Sequence, residues 1–147
     1  MKLSESYFYT LREDVKDEES ASGNLLVKSG MFKKIGNGIY MKMPLGQKVY
    51  ENVKNIVRKN MNEAGAQEVT MPMLLPIDVF QKSGRYELFG PSIFKLNDRY
   101  NRPYVLGPTH EEFFVLASMM KAKSYKDFPY TLYQIGNKYR DEVRPRL

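Results

Sequence analysis

Two short strings in this chain hold residue types able to grip and activate a small charged substrate. In Gly107-Pro108-Thr109-His110-Glu111-Glu112, a hydroxyl and two carboxylates stand just ahead of an amphipathic segment. Thr109 and Glu111 converging beside a helix start can accept hydrogen bonds from a substrate ammonium group, the carboxylate supplying charge and the hydroxyl direction. The same string is a Thr-x-x-Glu capping box. With Thr109 as N-cap, Thr109 and Glu112 satisfy free backbone N–H groups and both glutamates favour the positive end of the helix dipole. That structural account uses Glu112 and leaves Glu111 free to point elsewhere. The second string is Tyr133-Gln134-Ile135-Gly136-Asn137-Lys138-Tyr139-Arg140-Asp141-Glu142. If it is a strand to its end, Gln134, Gly136, Lys138, Arg140 and Glu142 share one face, and Arg140 and Glu142 sit roughly 6–7 Å apart. A guanidinium fork there suits phosphate or carboxylate oxygens, and the neighbouring carboxylate suits a base amino group. The competing account is an exposed ion pair on a sheet edge, contributing at most about 1 kcal/mol.

Other chemistries lack their residues. There is no Gly-x-x-x-x-Gly-Lys loop, and Gly36-Asn37-Gly38 lacks the third glycine of a dinucleotide-binding turn. His110, the single histidine, has no nucleophile beside it and reads as a surface or cap residue. With no cysteine, a protein-built zinc site would need three carboxylates beside His110, so no protein-bound zinc is expected. Tyr125, Tyr130 and Tyr133 read as packing residues rather than a base-stacking platform.

The elements that must position these strings follow from pattern. Residues 1–22 show no useful periodicity and read as a surface leader. A short helix is predicted over 23–34, then a turn at Gly36-Asn37-Gly38 and a strand from Ile39 to Met43 halted by Pro44. Leu45, Val49, Val53, Ile56, Val57, Met61 and Ala64 recur at steps of three and four, which predicts the strongest helix, with Pro44 in its first turn and Gly65 at its stop. Ala66–Met71 reads as a strand and Pro76–Phe80 as the opening of another helix. Ile93–Leu96 and Tyr104–Leu106 form a predicted antiparallel hairpin. Phe113, Leu116, Ala117 and Met120 mark an amphipathic helix, and residues 131–140 return to a period of two.

Composition bounds the class. The 147 residues are 42% hydrophobic and 27% charged, too rich in core formers for disorder and too interrupted by charge for a membrane span. A soluble globular chain, not secreted and cytoplasmic, is expected. The net charge of +6 suits a polyanionic partner and equally a solvated surface.

Taken together, the strings resemble bacterial-type prolyl-tRNA synthetases, from about Gly38 to Arg146. The likeness is carried by Gly38-Ile39-Tyr40, Pro44-Leu45-Gly46, Gly65-Ala66-Gln67-Glu68-Val69 with Met71-Pro72, and Ser83-Gly84-Arg85. Leu106-Gly107-Pro108-Thr109-His110-Glu111-Glu112, Tyr133-Gln134-Ile135 and Tyr139-Arg140-Asp141-Glu142-Val143-Arg144-Pro145-Arg146 complete it. The resemblance implies an α+β class II catalytic fold, a mainly antiparallel sheet flanked by helices. Its first motif would be residues 44–76, which build a homodimer interface in such enzymes. Residues 107–122 would hold the Thr-x-Glu loop and its helix, and residues 131–147 the first half of the second motif. It further implies that Thr109 and Glu111 bind the proline nitrogen, that Arg140 holds the α-phosphate of ATP and the proline carboxylate, and that Glu142 meets the adenine amino group. Mg²⁺ would be held mainly by the ATP phosphates, and tRNA(Pro) would be the second substrate.

The chain departs from the family pattern after Glu142. The returning strand of the second motif, the third motif with its ATP-binding arginine, the editing insertion and the anticodon-binding domain have no counterpart here. The expectation is an N-terminal fragment, inactive or nearly so alone. The alternative is a non-catalytic module that uses the same surface for RNA or a partner chain.

Overall fold

The computed structural model describes residues 2–16, 18 and 20–143. The last four residues of the expected second-motif segment, 144–147, lie outside them. The chain divides into two units, Met1–Val57 and Arg58–Val143.

In the first unit, the helix predicted over 23–34 is shorter, α1 (Ala21–Lys28), and Ser20 caps it by accepting from the Gly23 N–H. Residues 32–34, taken into that helix by the sequence reading, belong instead to a strand, β1 (Phe32–Gly36). It pairs antiparallel with β2 (Ile39–Lys42) across the expected Asn37-Gly38 turn. The β-branched Ile35 and the glycine-containing turn favour a local hairpin over continuation of the helix. The leader residues lie along α1, with the Leu11 N–H donating to the Lys28 carbonyl and Lys28 Nζ 2.7 Å from Asp14.

Helix α2 (Pro44–Glu63) is the long helix the periodicity predicts, and Gly65 follows it with φ of +80°. Among its described residues only Gly46 is buried.

The second unit carries the core. Strand β3 (Gln67–Glu68) runs parallel to β7 (Leu132–Tyr133), and β4 (Leu74–Pro76), β6 (Pro103–Leu106) and β5 (Lys95–Asn97) form an antiparallel sheet in that order. The predicted hairpin forms, with Leu96 opposite Tyr104, but its first strand is Lys95–Asn97 rather than Ile93–Leu96. Strand β4 was not foreseen, being three residues ending in proline whose partner lies 30 residues on. After it come α3 (Ile77–Lys82) and the short α4 (Arg85–Phe89), then α5 (Glu111–Lys121) beyond the hairpin. Leu75, Phe80, Ile93 and Val105 form the buried cluster, and Phe113 of α5 packs on it, its ring 6.1 Å from that of Phe80. Burying these four side chains stabilises the unit by about 1.5–3 kcal/mol each.

Two expectations need correction here. The strand expected over 131–140 stops at Tyr133: Gln67 and Val69 donate to the Thr131 and Tyr133 carbonyls, and among the described residues no strand pairs with the chain beyond. The end of α2 is tied to this ladder by a two-pronged Arg58–Glu68 pair, at 2.6 and 3.1 Å, and by the Tyr133 hydroxyl lying 2.9 Å from Asn62 Oδ1. Burial and the Glu68 carboxylate push the Tyr133 phenol above its ordinary pKa. Helix α5 also turns less of its expected apolar face inward: Phe113 is packed, whereas Leu116 and Met120 are exposed.

Candidate active site

The loop from Gly107 to His110 is wholly buried, unusual for a polar connection, and its backbone explains why. The Gly107 N–H donates to Met73 O at 2.8 Å, and the Gly107 carbonyl accepts from Tyr139 N–H at 3.0 Å. Arg140 Nε donates to Pro108 O at 3.1 Å. Two segments 32 residues apart in sequence are therefore laid side by side, and Arg140 is brought to the residue before Thr109. The Asp141 N–H in turn donates to Ser92 O at 3.0 Å. The 139–141 segment is thus anchored through alternate N–H groups although it belongs to no strand.

The capping box does not form. The helix begins one residue later than expected, at Glu111, with His110 at the N-cap and no side-chain cap. Thr109 donates its hydroxyl hydrogen bond to Glu111 Oε2 instead. Glu112, expected to reach back to the cap, turns inward: it is 8% exposed, and its Oε1 lies 3.0 Å from Ser83 Oγ and 3.4 Å from Arg85 Nε. The other arm of Arg85, Nη1, lies 3.6 Å from Glu111 Oε2. Gly84, between Ser83 and Arg85, adopts φ of +72°, the left-handed region that glycine enters freely.

His110 is a second correction. It takes a cap position, but it is 2% exposed rather than on the surface, with Nε2 2.8 Å from Pro72 O and its ring against Phe113. Its partner lies 38 residues away, which no local reading of the sequence can supply.

Thr109, Glu111 and Arg140 are thus gathered on one rim. Glu142 stays close to Arg140, with Oε1 3.8 Å from Nη1 and both side chains about half exposed. The pair is adjacent as expected, although the strand that was to align it is absent. Lys138 joins this rim. It is exposed as a residue, yet protein atoms crowding its amine hold its pKa below the ordinary value, with Glu111 opposing the shift and Arg140 reinforcing it. The rim can therefore accept hydrogen bonds from a cationic nitrogen through Thr109 and Glu111 and offer a guanidinium to an anion through Arg140. Sequence reasoning gave Ser83, Arg85 and Lys138 no role of their own. The available signal was an arginine set directly after a turn glycine, in a chain with two adjacent glutamates to pair with it. A surface cleft of about 410 Å³ in the first unit, lined by Arg12, Asp14, Val27 and Lys33 among others, contains none of these residues.

The chain is 48% identical over 145 residues to the proline–tRNA ligase of Rhodococcus erythropolis, a match covering 99% of this chain and 25% of that protein. It is 47% identical to the enzyme of Finegoldia magna and 46% to that of Thermotoga maritima, each over all 147 residues and 26% of the relative. Throughout its length the chain is similar to a portion of the proline–tRNA ligases. It spans about a quarter of the length of these relatives. No family model matches it. Among solved structures, the RNA-binding domain of the threonyl-tRNA synthetase of Cryptosporidium parvum Iowa II superposes with a TM-score of 0.73 at 21% identity, covering 81% of this chain and 30% of that one. The prolyl-tRNA synthetase of Cryptosporidium parvum, complexed with halofuginone and AMPPNP, gives 0.71 at 18% identity, covering 84% and 26%. Identities this low support a shared α+β fold with synthetase chains.

Proposed function

We propose that this chain forms the part of a class II prolyl-tRNA synthetase catalytic domain that holds proline and the α-phosphate of ATP. The observation that carries the reading is the pairing of residues 139 and 140 with the carbonyls of Gly107 and Pro108, which puts Arg140 beside the Thr109–Glu111 pair. A hydroxyl and carboxylate suited to a secondary ammonium then stand next to a guanidinium suited to carboxylate and phosphate oxygens, as an amino acid and a nucleotide bound together require.

In this reading Thr109 and Glu111 take the proline nitrogen, Arg140 bridges the proline carboxylate and the α-phosphate, and Glu142 accepts from the adenine amino group. The proline carboxylate attacks the α-phosphorus, pyrophosphate leaves, and prolyl-adenylate passes its acyl group to the terminal ribose of tRNA(Pro). No side-chain nucleophile is needed. The protein lowers the barrier by aligning two anions that repel in water and by placing positive charge where the phosphorus gathers negative charge. Magnesium in this reading is carried by the ATP phosphates, and no step is routed through it. A homodimer built through residues 44–76 belongs to the same reading. It is supported by the exposed apolar stripe Val49, Val53, Ile56 and Val57 on α2. So does a cytoplasmic setting, where tRNA is charged.

The test is proline-dependent ATP–pyrophosphate exchange, run on the purified chain and on the same sequence extended to the length of its relatives. Exchange in the extended protein supports the reading, and exchange in neither overturns it in favour of a binding module.

A further inference from the structure

Within α5 the position that could serve both Glu111 and Glu112, four residues after the first and three after the second, is Val115, which has no charge to offer. One from outside the helix joins them. Arg85 Nε reaches Glu112 Oε1 at 3.4 Å, and Arg85 Nη1 reaches Glu111 Oε2 at 3.6 Å. The two carboxylates differ in setting. The Glu112 side chain is 8% exposed and that of Glu111 is 65% exposed. A buried carboxylate is costly unless compensated, and Glu112 is compensated at one oxygen only: Ser83 Oγ and Arg85 both meet Oε1, while Oε2 is buried without a partner. Arg85 is held in turn, its guanidinium 5.3 Å from the Phe89 ring centroid. At the exposed end, the Glu111 oxygen that Arg85 approaches is the one that accepts from Thr109. Glu111 is thus steadied through Oε2.

We propose that Arg85 is a positioning residue, anchored by Ser83 and the buried Glu112, that fixes the Glu111 carboxylate against Thr109 and so sets the direction from which a ligand's ammonium nitrogen approaches. The inference rests on the proline-binding reading above and adds to it a second layer that determines affinity for the amino acid without touching it.

The experiment uses a chimaera carrying these 147 residues in place of the matching quarter of the Thermotoga maritima relative, assayed by ATP–pyrophosphate exchange. Arg85→Met keeps an aliphatic stem over Phe89 and removes the charge. It is expected to raise the proline KM about tenfold while kcat and the ATP KM stay within about twofold, the pattern of a lost binding contact. Arg85→Lys should recover part of that loss, since an ammonium can meet one carboxylate but cannot fork between two. A proline KM unchanged in Arg85→Met, where Glu111→Ala raises it, overturns the inference and leaves the proline-binding reading standing. Absence of proline-dependent exchange in the unsubstituted chimaera overturns both. Should Arg85→Met fail to fold, Ser83→Ala decides: loss of one hydrogen bond to Glu112 is expected to raise the proline KM about two- to threefold, and an unchanged value refutes the relay.

Discussion

Helices α2 and α5 make opposite use of their sequences. Helix α2 has 20 residues, the clearest apolar periodicity in the chain, and one buried residue, a glycine. Helix α5 has 11 residues and weaker patterning, and what it buries outright is a carboxylate, Glu112. Along α2 the apolar stripe faces outward, with Val53 55% and Ile56 63% exposed. On α5 Phe113 seats the helix on the core cluster so that its polar N-terminus meets Arg85 and Ser83. Periodicity reports that a face is built to be covered, whereas a buried charge reports that geometry at that point is being held.

The contrast can be broken from either side. The largest effect is expected from Phe80→Ala beneath α5, which should cost about 3–5 kcal/mol in urea unfolding, since Phe80 is fully buried and in contact with Phe113. A loss under about 1 kcal/mol would mean that α5 is seated by something other than this cluster. Arg140→Ala in the extended protein should lower the exchange rate about a hundred- to a thousandfold, the cost of removing one charge-stabilising group at phosphorus. Near-normal exchange would detach Arg140 from the chemistry. Glu111→Ala should chiefly raise the proline KM, about ten- to a hundredfold, with the ATP KM little changed; an unchanged proline dependence would leave Thr109 alone as the nitrogen ligand. The smallest effect on folding is expected on α2. Val53→Asp at its exposed stripe should shift stability by no more than about 0.5 kcal/mol while halving the mass seen by light scattering. A mass indifferent to the substitution would remove the homodimer from the proposal.

Local chemistry was legible, and pairing across distance was not. The 3.6-residue repeat in α2, Gly65 at its stop and the hairpin flanking residues 97–103 all rest on residues within one turn or one ladder of each other. Strand β4 is three residues closing in Pro76, too short for alternation to register, and it exists because β6 offers a partner 30 residues on. The same physics misled the capping reading. Thr-x-x-Glu is a sound local device, but Ser83 and Arg85 offered Glu112 a charge-assisted alternative from outside the helix, and it took that. At the site, Thr109 and Glu111 do converge and Arg140 and Glu142 are neighbours, as their spacing suggested. That Arg140 lies against the loop holding Thr109 and Glu111 depended on the Gly107 and Pro108 carbonyls, which no side-chain pattern announces.

Gly84 bears on how this sequence can drift. A Cβ added there would meet nothing within 4 Å, so space places no restriction on the position. Torsion does, because an L-residue in the left-handed region costs roughly 1–2 kcal/mol. Any backbone relaxation that relieves that strain rotates the residue after it, and that residue is Arg85. Selection on the arginine would therefore be recorded one place upstream, as a glycine retained where a larger side chain has ample room.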